Sequence, residues 1–177
     1  MNMPGDITFG LERIASITDE DITGGKVRST KPPRLASRAA FFDEQNRLAL
    51  MYIEDWQLYM LPGGGLENGE DAIAAAVRES LEETGCHVRI IRSLGYIYEN
   101  RGNYDFTQYS YYFIASMFGE QEAQRLMPDE TEHGTKLLWV SLDEAIRLTG
   151  SVIHTREQRR FIQKRELAAL QCLKNNI

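Results

Sequence analysis

Gly64-Gly65-Leu66-Glu67-Asn68-Gly69-Glu70 is followed, seven residues later, by Arg78-Glu79-Ser80-Leu81-Glu82-Glu83-Thr84-Gly85-Cys86. The Ala, Glu, Arg, Leu and Val content of this stretch predicts a helix from about Gly69 to Thr84, with Gly85 as its stop. At roughly 100° per residue, Glu79, Glu82 and Glu83 stand at i, i+3 and i+4 and share one arc of the helix. Ile73, Val77, Ser80, Leu81 and Thr84 fall on the opposite face, which is expected to pack on a sheet. Ala72, Ala75 and Ala76 lie beside the carboxylates and are expected to leave an open floor there.

Like charges at this spacing repel, and more strongly when enclosed, so three glutamates together are either a solvated face or a seat for a cation. Hard divalent cations such as Mg²⁺ take carboxylate oxygens together with substrate phosphates. Gly64 and Gly65 carry no side chain, so their backbone can approach an anion closely and makes them candidate substrate-binding residues. Carboxylates beside a glycine loop point to a cation-bridged diphosphate.

Outward from this segment, Trp56 to Leu61 reads as a short strand that stops at Pro62-Gly63-Gly64-Gly65. Arg34 to Phe42 and Arg47 to Ile53, split by the turn Asp43-Glu44-Gln45-Asn46, read as a hairpin. Further strands are expected at His87 to Tyr98, Phe106 to Phe118 and Lys136 to Val140. Ser141 caps a short helix with Glu144 at its third position, and a last helix covers about Thr155 to Leu173. Residues 1–33 are expected to form an N-terminal arm or edge hairpin, and residues 34–177 the main domain. Strands and helices alternate without a regular βαβ rhythm, which predicts the α/β class with a mixed β-sheet between helices.

The 177 residues are 42% apolar and carry 20 Lys and Arg against 26 Asp and Glu, a net charge of −6. No broad basic surface is available for a nucleic acid polymer. No run of about 18 apolar residues exists to span a membrane, and the start has no basic flank followed by an apolar stretch. Cys86 and Cys172 form neither a disulfide framework nor a thiolate metal site, so a reducing cytoplasmic setting is expected.

The pattern G-x₅-E-x₇-R-E-x₂-E-E-x-G fixes seven identities. At roughly 7% usage per residue, its chance occurrence in such a chain is on the order of one in a million. It is the Nudix box, and the chain resembles the Nudix hydrolase family of MutT-like pyrophosphohydrolases. Gly64, Glu70, Arg78, Glu79, Glu82, Glu83 and Gly85 stand where the motif puts them, while Ser80 and Cys86 replace bulky aliphatic residues at two packing positions. The box covers 23 of the 177 residues. The resemblance implies an α/β/α sandwich that binds Mg²⁺ or Mn²⁺ and hydrolyses a nucleoside diphosphate linked to another moiety. It implies that Glu79, Glu82, Glu83 and the Gly63 carbonyl hold the metal, and that Glu70 and Arg78 orient the loop and helix. The general base is either a box glutamate, Glu79 or Glu82, or one from a later loop, Glu130 or Glu132. A catalytically inactive nucleotide-binding regulatory module is the alternative.

Substrate contacts are marked more faintly. Arg34 and Arg38 flank the first strand of the domain, where an Arg fork could meet phosphate. Tyr104 lies 18 residues past Cys86, a spacing similar to a tyrosine downstream of the box in diadenosine-polyphosphate hydrolases. Of the aromatics of the 96–113 stretch, one or two are candidates to stack on a nucleobase, and most are explained by sheet packing. Arg156, Arg159, Arg160, Lys164 and Arg165 on the last helix read as a solvated face or as a subunit contact in a homodimer.

Overall fold

In the computed structural model, which describes residues 10–177, the chain runs β1 (Arg13–Thr18), α1 (Asp19–Thr23), β2 (Arg34–Ala40), β3 (Leu48–Ile53), β4 (Leu58–Met60), β5 (Gly63–Gly65), α2 (Ala72–Thr84), β6 (His87–Arg101), β7 (Phe106–Phe118), α3 (Pro128–Glu132), β8 (Thr135–Val140), α4 (Leu142–Ser151) and α5 (Glu157–Lys174). Five strands form a mixed sheet in the order β1-β6-β7-β2-β5, and β4-β3-β8 form a second, antiparallel sheet. Successive residues of one strand enter different cores. Tyr112 and Ala40 pack with Leu48, Phe161 and Leu170, while Tyr111, Phe113 and Ala39 pack with Ala72 and Ala76. Because strand side chains alternate, this division places α2 on one face of the main sheet and α5 on the other. The result is the expected layered α/β fold with its mixed sheet between helices.

The structure differs from the sequence reading in four places. Over the described part of residues 1–33 the chain forms no edge hairpin. β1 instead pairs parallel to β6, a partner far along the sequence, and is followed by the single turn of α1. Residues 1–9 of the expected arm lie outside the described residues. The expected hairpin of β2 and β3 divides between the two sheets, linked by an isolated bridge from Phe42 to Leu48. Residues 63–65 of the expected glycine loop are strand, paired antiparallel with Ala36, Ser37 and Arg38. The fourth difference is the buried face of α2, which carries Ala72, Ala75, Ala76, Ser80, Glu83 and Thr84, while Ile73 is 51% exposed. Small side chains let the helix axis lie close to the sheet, and the Ser37 hydroxyl donates to the Ala72 carbonyl at 2.6 Å. The alanines are therefore the contact with the sheet rather than an open floor, and Glu83 lies at the centre of the buried arc.

Candidate active site

Asp71 caps α2 by accepting from the Ala74 N–H at 2.8 Å, and Gly85 closes the helix, its N–H donating to the Leu81 carbonyl. This sets the glutamates against β5. Gly63 has φ +146, and a Cβ there would overlap the Ser37 carbonyl oxygen and lie 2.7 Å from Arg38 Cα. At Gly64 a Cβ would overlap Glu79 Oε1 and lie 2.9 Å from Oε2. Both positions need glycine for the turn and carboxylate to meet. The Gly63 N–H donates to Glu83 Oε2 at 2.6 Å, and its carbonyl accepts from Arg38 Nη1 at 3.0 Å. Arg38 is 5% exposed and also donates to the Leu61 carbonyl at 2.8 Å. The structure thus makes it a strut of the turn beneath the site rather than an arginine reaching out from a strand end.

Arg78 gathers the remaining box residues. Its Nε and Nη2 bond Glu70 at 3.0 Å each, Nη2 bonds the Gly65 carbonyl at 3.0 Å, and Nη1 bonds Glu79 and Glu82 at 2.9 Å each. Its hydrogen bonds to Glu70 hold that carboxyl below the usual range and raise the guanidinium above its own. Burial pushes Glu79 up against the pull of Arg78. Burial, with the like charges of Glu79 and Glu130, pushes Glu83 up to about 8, although the Gly63 N–H and Arg38 oppose the shift. Among the described residues no three His, Cys, Asp or Glu side chains are gathered in cation-holding geometry, and Arg78 holds one oxygen each of Glu79 and Glu82.

Beside Glu83 opens a cleft of about 220 Å³ whose lining includes Arg34, Arg38, Trp56, Gly63, Gly64, Glu130 and His133. A larger groove of about 850 Å³ between α2 and β6 is walled by Ile73, Val77, Ile91, Phe118 and other apolar groups, and the glutamate cluster lies outside it. Convergent charged groups, rather than size, make the smaller cleft the candidate site.

Glu130 enters this cleft through the segment before α3, which docks on the C-terminal end of α2. The Arg125 N–H donates to the Glu82 carbonyl at 2.7 Å, the Glu122 N–H to Gly85 at 2.8 Å, and the Gln121 and Gln124 side chains donate to Thr84 and Glu83. These bonds satisfy carbonyls that a helix end otherwise leaves unpaired. Glu130 Oε2 itself accepts from the Met127 N–H at 2.7 Å.

Of the other expected contacts, Glu132 is exposed and outside the cleft lining. Tyr104, 42% exposed on the turn between β6 and β7, is also outside it. Gly65 lies under Arg34, whose Nη2 would be 2.8 Å from a Cβ there. Arg34 also lines the cleft and donates to the neutral Gln108 side chain at 2.7 Å. Burial, and next the charge of Arg38, hold its pKa below the ordinary arginine value. Sequence reasoning missed Trp56, whose position before a strand carried no distinguishing signal. It also misplaced Arg165, which is buried against Glu99 and Glu166 rather than on a solvated face.

Several known proteins are similar to this chain. A protein of Bacillus subtilis, provisionally named an 8-oxo-dGTP diphosphatase, is 36% identical over 99 residues, covering 56% of this chain and 60% of that protein. The CMP-5'-(N-acetyl-N-hydroxy-3-aminopropyl)phosphonate hydrolase of Streptomyces rubellomurinus is 29% identical over 143 residues, 77% of this chain and 66% of the relative. The chain thus matches less than two thirds of the length of either. The solved NUDIX hydrolase from Nitrosomonas europaea superposes with a TM-score of 0.58 at 21% identity, covering 82% of this chain and 88% of that one. The model of the NUDIX domain matches residues 32–164. That span includes the glycine turn, the glutamate helix and the Glu130 segment together, and with it this chain belongs to the Nudix family.

Proposed function

We propose that this chain hydrolyses the pyrophosphate bridge of a nucleoside diphosphate linked to another moiety, releasing a nucleoside monophosphate and the phosphorylated second moiety. The observation that carries this reading is the crowding of Glu79, Glu83 and Glu130 at the glycine turn, where burial and mutual repulsion raise Glu83 to about 8. A divalent cation with a diphosphate would relieve that repulsion. The donors are of the oxygen type that Mg²⁺ or Mn²⁺ takes, and Glu79 Oε2, Glu82 Oε1 and Glu83 Oε1, which stay outside the bonds to Arg78 and Gly63, would have to converge to hold the ion. The Gly63 carbonyl, already accepting from Arg38, keeps a second lone pair. When bound, such a cation supplies charge neutralisation at the bridging diphosphate.

The chain's own groups do the rest. Arg78 holds Glu79 and Glu82 in place, and the Gly63 N–H holds Glu83. Arg34 donates to phosphate oxygens in the cleft. Glu130 takes the proton from the attacking water as general base, a role for which its place in the cleft lining favours it over the exposed Glu132. Both relatives' names describe cleavage of nucleotide substrates at phosphorus. A cytoplasmic setting accords with two free cysteines and with the lack, among the described residues, of any helix long and apolar enough to cross a membrane.

Turnover of a nucleotide panel with Mg²⁺, with both products identified, tests the reading. Glu83→Gln and Glu130→Gln are expected to lower kcat by about a hundredfold or more each while retaining the folded circular dichroism spectrum. Near wild-type turnover in Glu83→Gln would overturn the assignment.

A further inference from the structure

The cleft is small for the substrate it is proposed to take. At about 220 Å³ it falls below the roughly 300–1,000 Å³ of pockets that enclose whole ligands. It can hold a diphosphate, so one of the flanking moieties must lie across the rim.

Trp56 lines the cleft, and the first turn of α5 meets it from outside. The Arg159 guanidinium stands over the Trp56 ring, 5.9 Å from its centroid. Arg156, Arg159 and Arg160 occupy i, i+3 and i+4, and the N–H groups of Arg159 and Arg160 both donate to the Arg156 carbonyl, at 3.1 and 3.2 Å, so the three share one helix face. Cations there face the positive end of the helix dipole, which disfavours them. Among the described residues none of the three forms an ion pair, whereas Lys164 and Arg165, just beyond them, pair with Asp21 at 3.2 Å and Glu99 at 2.9 Å. Asp55, on the same rim, is taken by His133 at 3.2 Å. Inside the cleft, Arg34 likewise has no carboxylate partner among the described residues. A chain of net charge −6 thus keeps Arg34 in its cleft and three arginines around the Trp56 contact without carboxylate partners among the described residues.

Resting on the hydrolytic reading above, we propose that the moiety beyond the cleaved bridge is itself anionic. Arg159, Arg160 and Arg156 take its phosphate or carboxylate, and Arg34 takes the diphosphate. The arginine face of α5 is then a specificity subsite, and Trp56 holds Arg159 in place through the ring face.

UDP-glucose and UDP-glucuronate, alike in size and different in the charge of the distal sugar, test this with Mg²⁺ present. The wild type is expected to favour UDP-glucuronate in kcat/KM by about tenfold, and R156Q/R159Q/R160Q to lose that preference. R156K/R159K/R160K, which keeps the charge, is expected to keep most of it. Inorganic tripolyphosphate, added in chelator, reads the same surface without turnover. It should raise the Tm of the wild type clearly more than that of the glutamine variant, in which Arg34 alone is left to bind it. Equal kcat/KM for the two sugars in the wild type, a preference undiminished in the glutamine variant, or a tripolyphosphate shift as large in the glutamine variant as in the wild type, overturns the subsite. An arginine-dependent shift in a protein that cleaves no nucleoside diphosphate derivative supports the subsite and overturns the hydrolytic reading instead.

Discussion

Burial beside Gly63, with the charges of Glu79 and Glu130, pushes the Glu83 carboxyl up to about 8, whereas in the unfolded chain it titrates near an ordinary glutamate's value of about 4.3. Between these values the folded protein keeps a proton that the unfolded chain has released. Stability from this group is therefore fully present below the unfolded value and is lost as pH rises through the window. In chelator, the wild-type unfolding free energy is expected to fall from about pH 5 to pH 8, by at most about 1.4 kcal/mol per pH unit, with the Tm falling alongside it, and Glu83→Gln to show a flatter profile. Adding Mg²⁺ at pH 8 should restore much of the wild-type Tm and little of the variant's. Parallel melting profiles for the two proteins would show that Glu83 is not the strained group. The grouping of Glu79, Glu82 and Glu83 on one arc was legible from their spacing alone. That Glu83 faces the sheet while Arg78 bridges the other two was not, because helical periodicity orders residues around an axis without saying how closely the axis approaches a neighbour.

That distance is set at the level of the element. α2 reads on paper as an amphipathic helix with Ile73, Val77, Ser80, Leu81 and Thr84 inward. Ser80 and Thr84 are buried and Val77 half-buried as expected, but Ile73 is exposed and the deepest contact also takes in Ala72, Ala75 and Ala76, at 6%, 0% and 0% exposure. The pattern was misleading because it ranks side chains by hydrophobicity, and the helix is placed by size. Only small residues allow Glu83 to reach the Gly63 N–H at 2.6 Å and Ser37 to reach the Ala72 carbonyl. Ala76→Leu should therefore be more harmful than its apolar character suggests. It is expected to cost about 1–3 kcal/mol in chemical denaturation and to weaken Mg²⁺ binding as α2 is displaced from β5. A variant with native stability and native metal affinity would refute close packing as what sets the site. The β-elements were more legible, since β7 runs over the same residues that the sequence predicted. The parallel pairing of β1 with β6 could not be read at all, because the two strands are joined by no local turn.

Across the whole molecule, the two sheets and α5 are joined by a buried ionic network that the sequence hid inside an apolar helix pattern. Glu99 and Glu166 are both 0% exposed. Arg165 donates to Glu99 and Glu166 at 2.9 Å each, and Arg101 donates to Glu99 at 2.8 Å. Glu166 accepts from the Leu61 N–H at 3.0 Å and the Tyr112 hydroxyl at 3.2 Å, and lies 3.4 Å from Arg38 Nε. Since Arg38 also holds the Gly63 carbonyl, α5 reaches the glycine turn through two side chains. Burial alone would raise Glu99, but Arg165 and Arg101 outweigh it and its pKa lies below the ordinary value. The stability it contributes is thus present above the unfolded glutamate value and lost as pH falls through the folded one. Removing one partner of such a network leaves charge buried without compensation, which costs about 3–5 kcal/mol. Arg165→Met should lose that much in urea denaturation at neutral pH. Glu99→Gln in the same chain should recover part of it, since the amide removes the stranded charge while still meeting Arg101. Additive losses in the double variant would mean that the two residues act independently, and that the network is not what fastens α5 to the sheet.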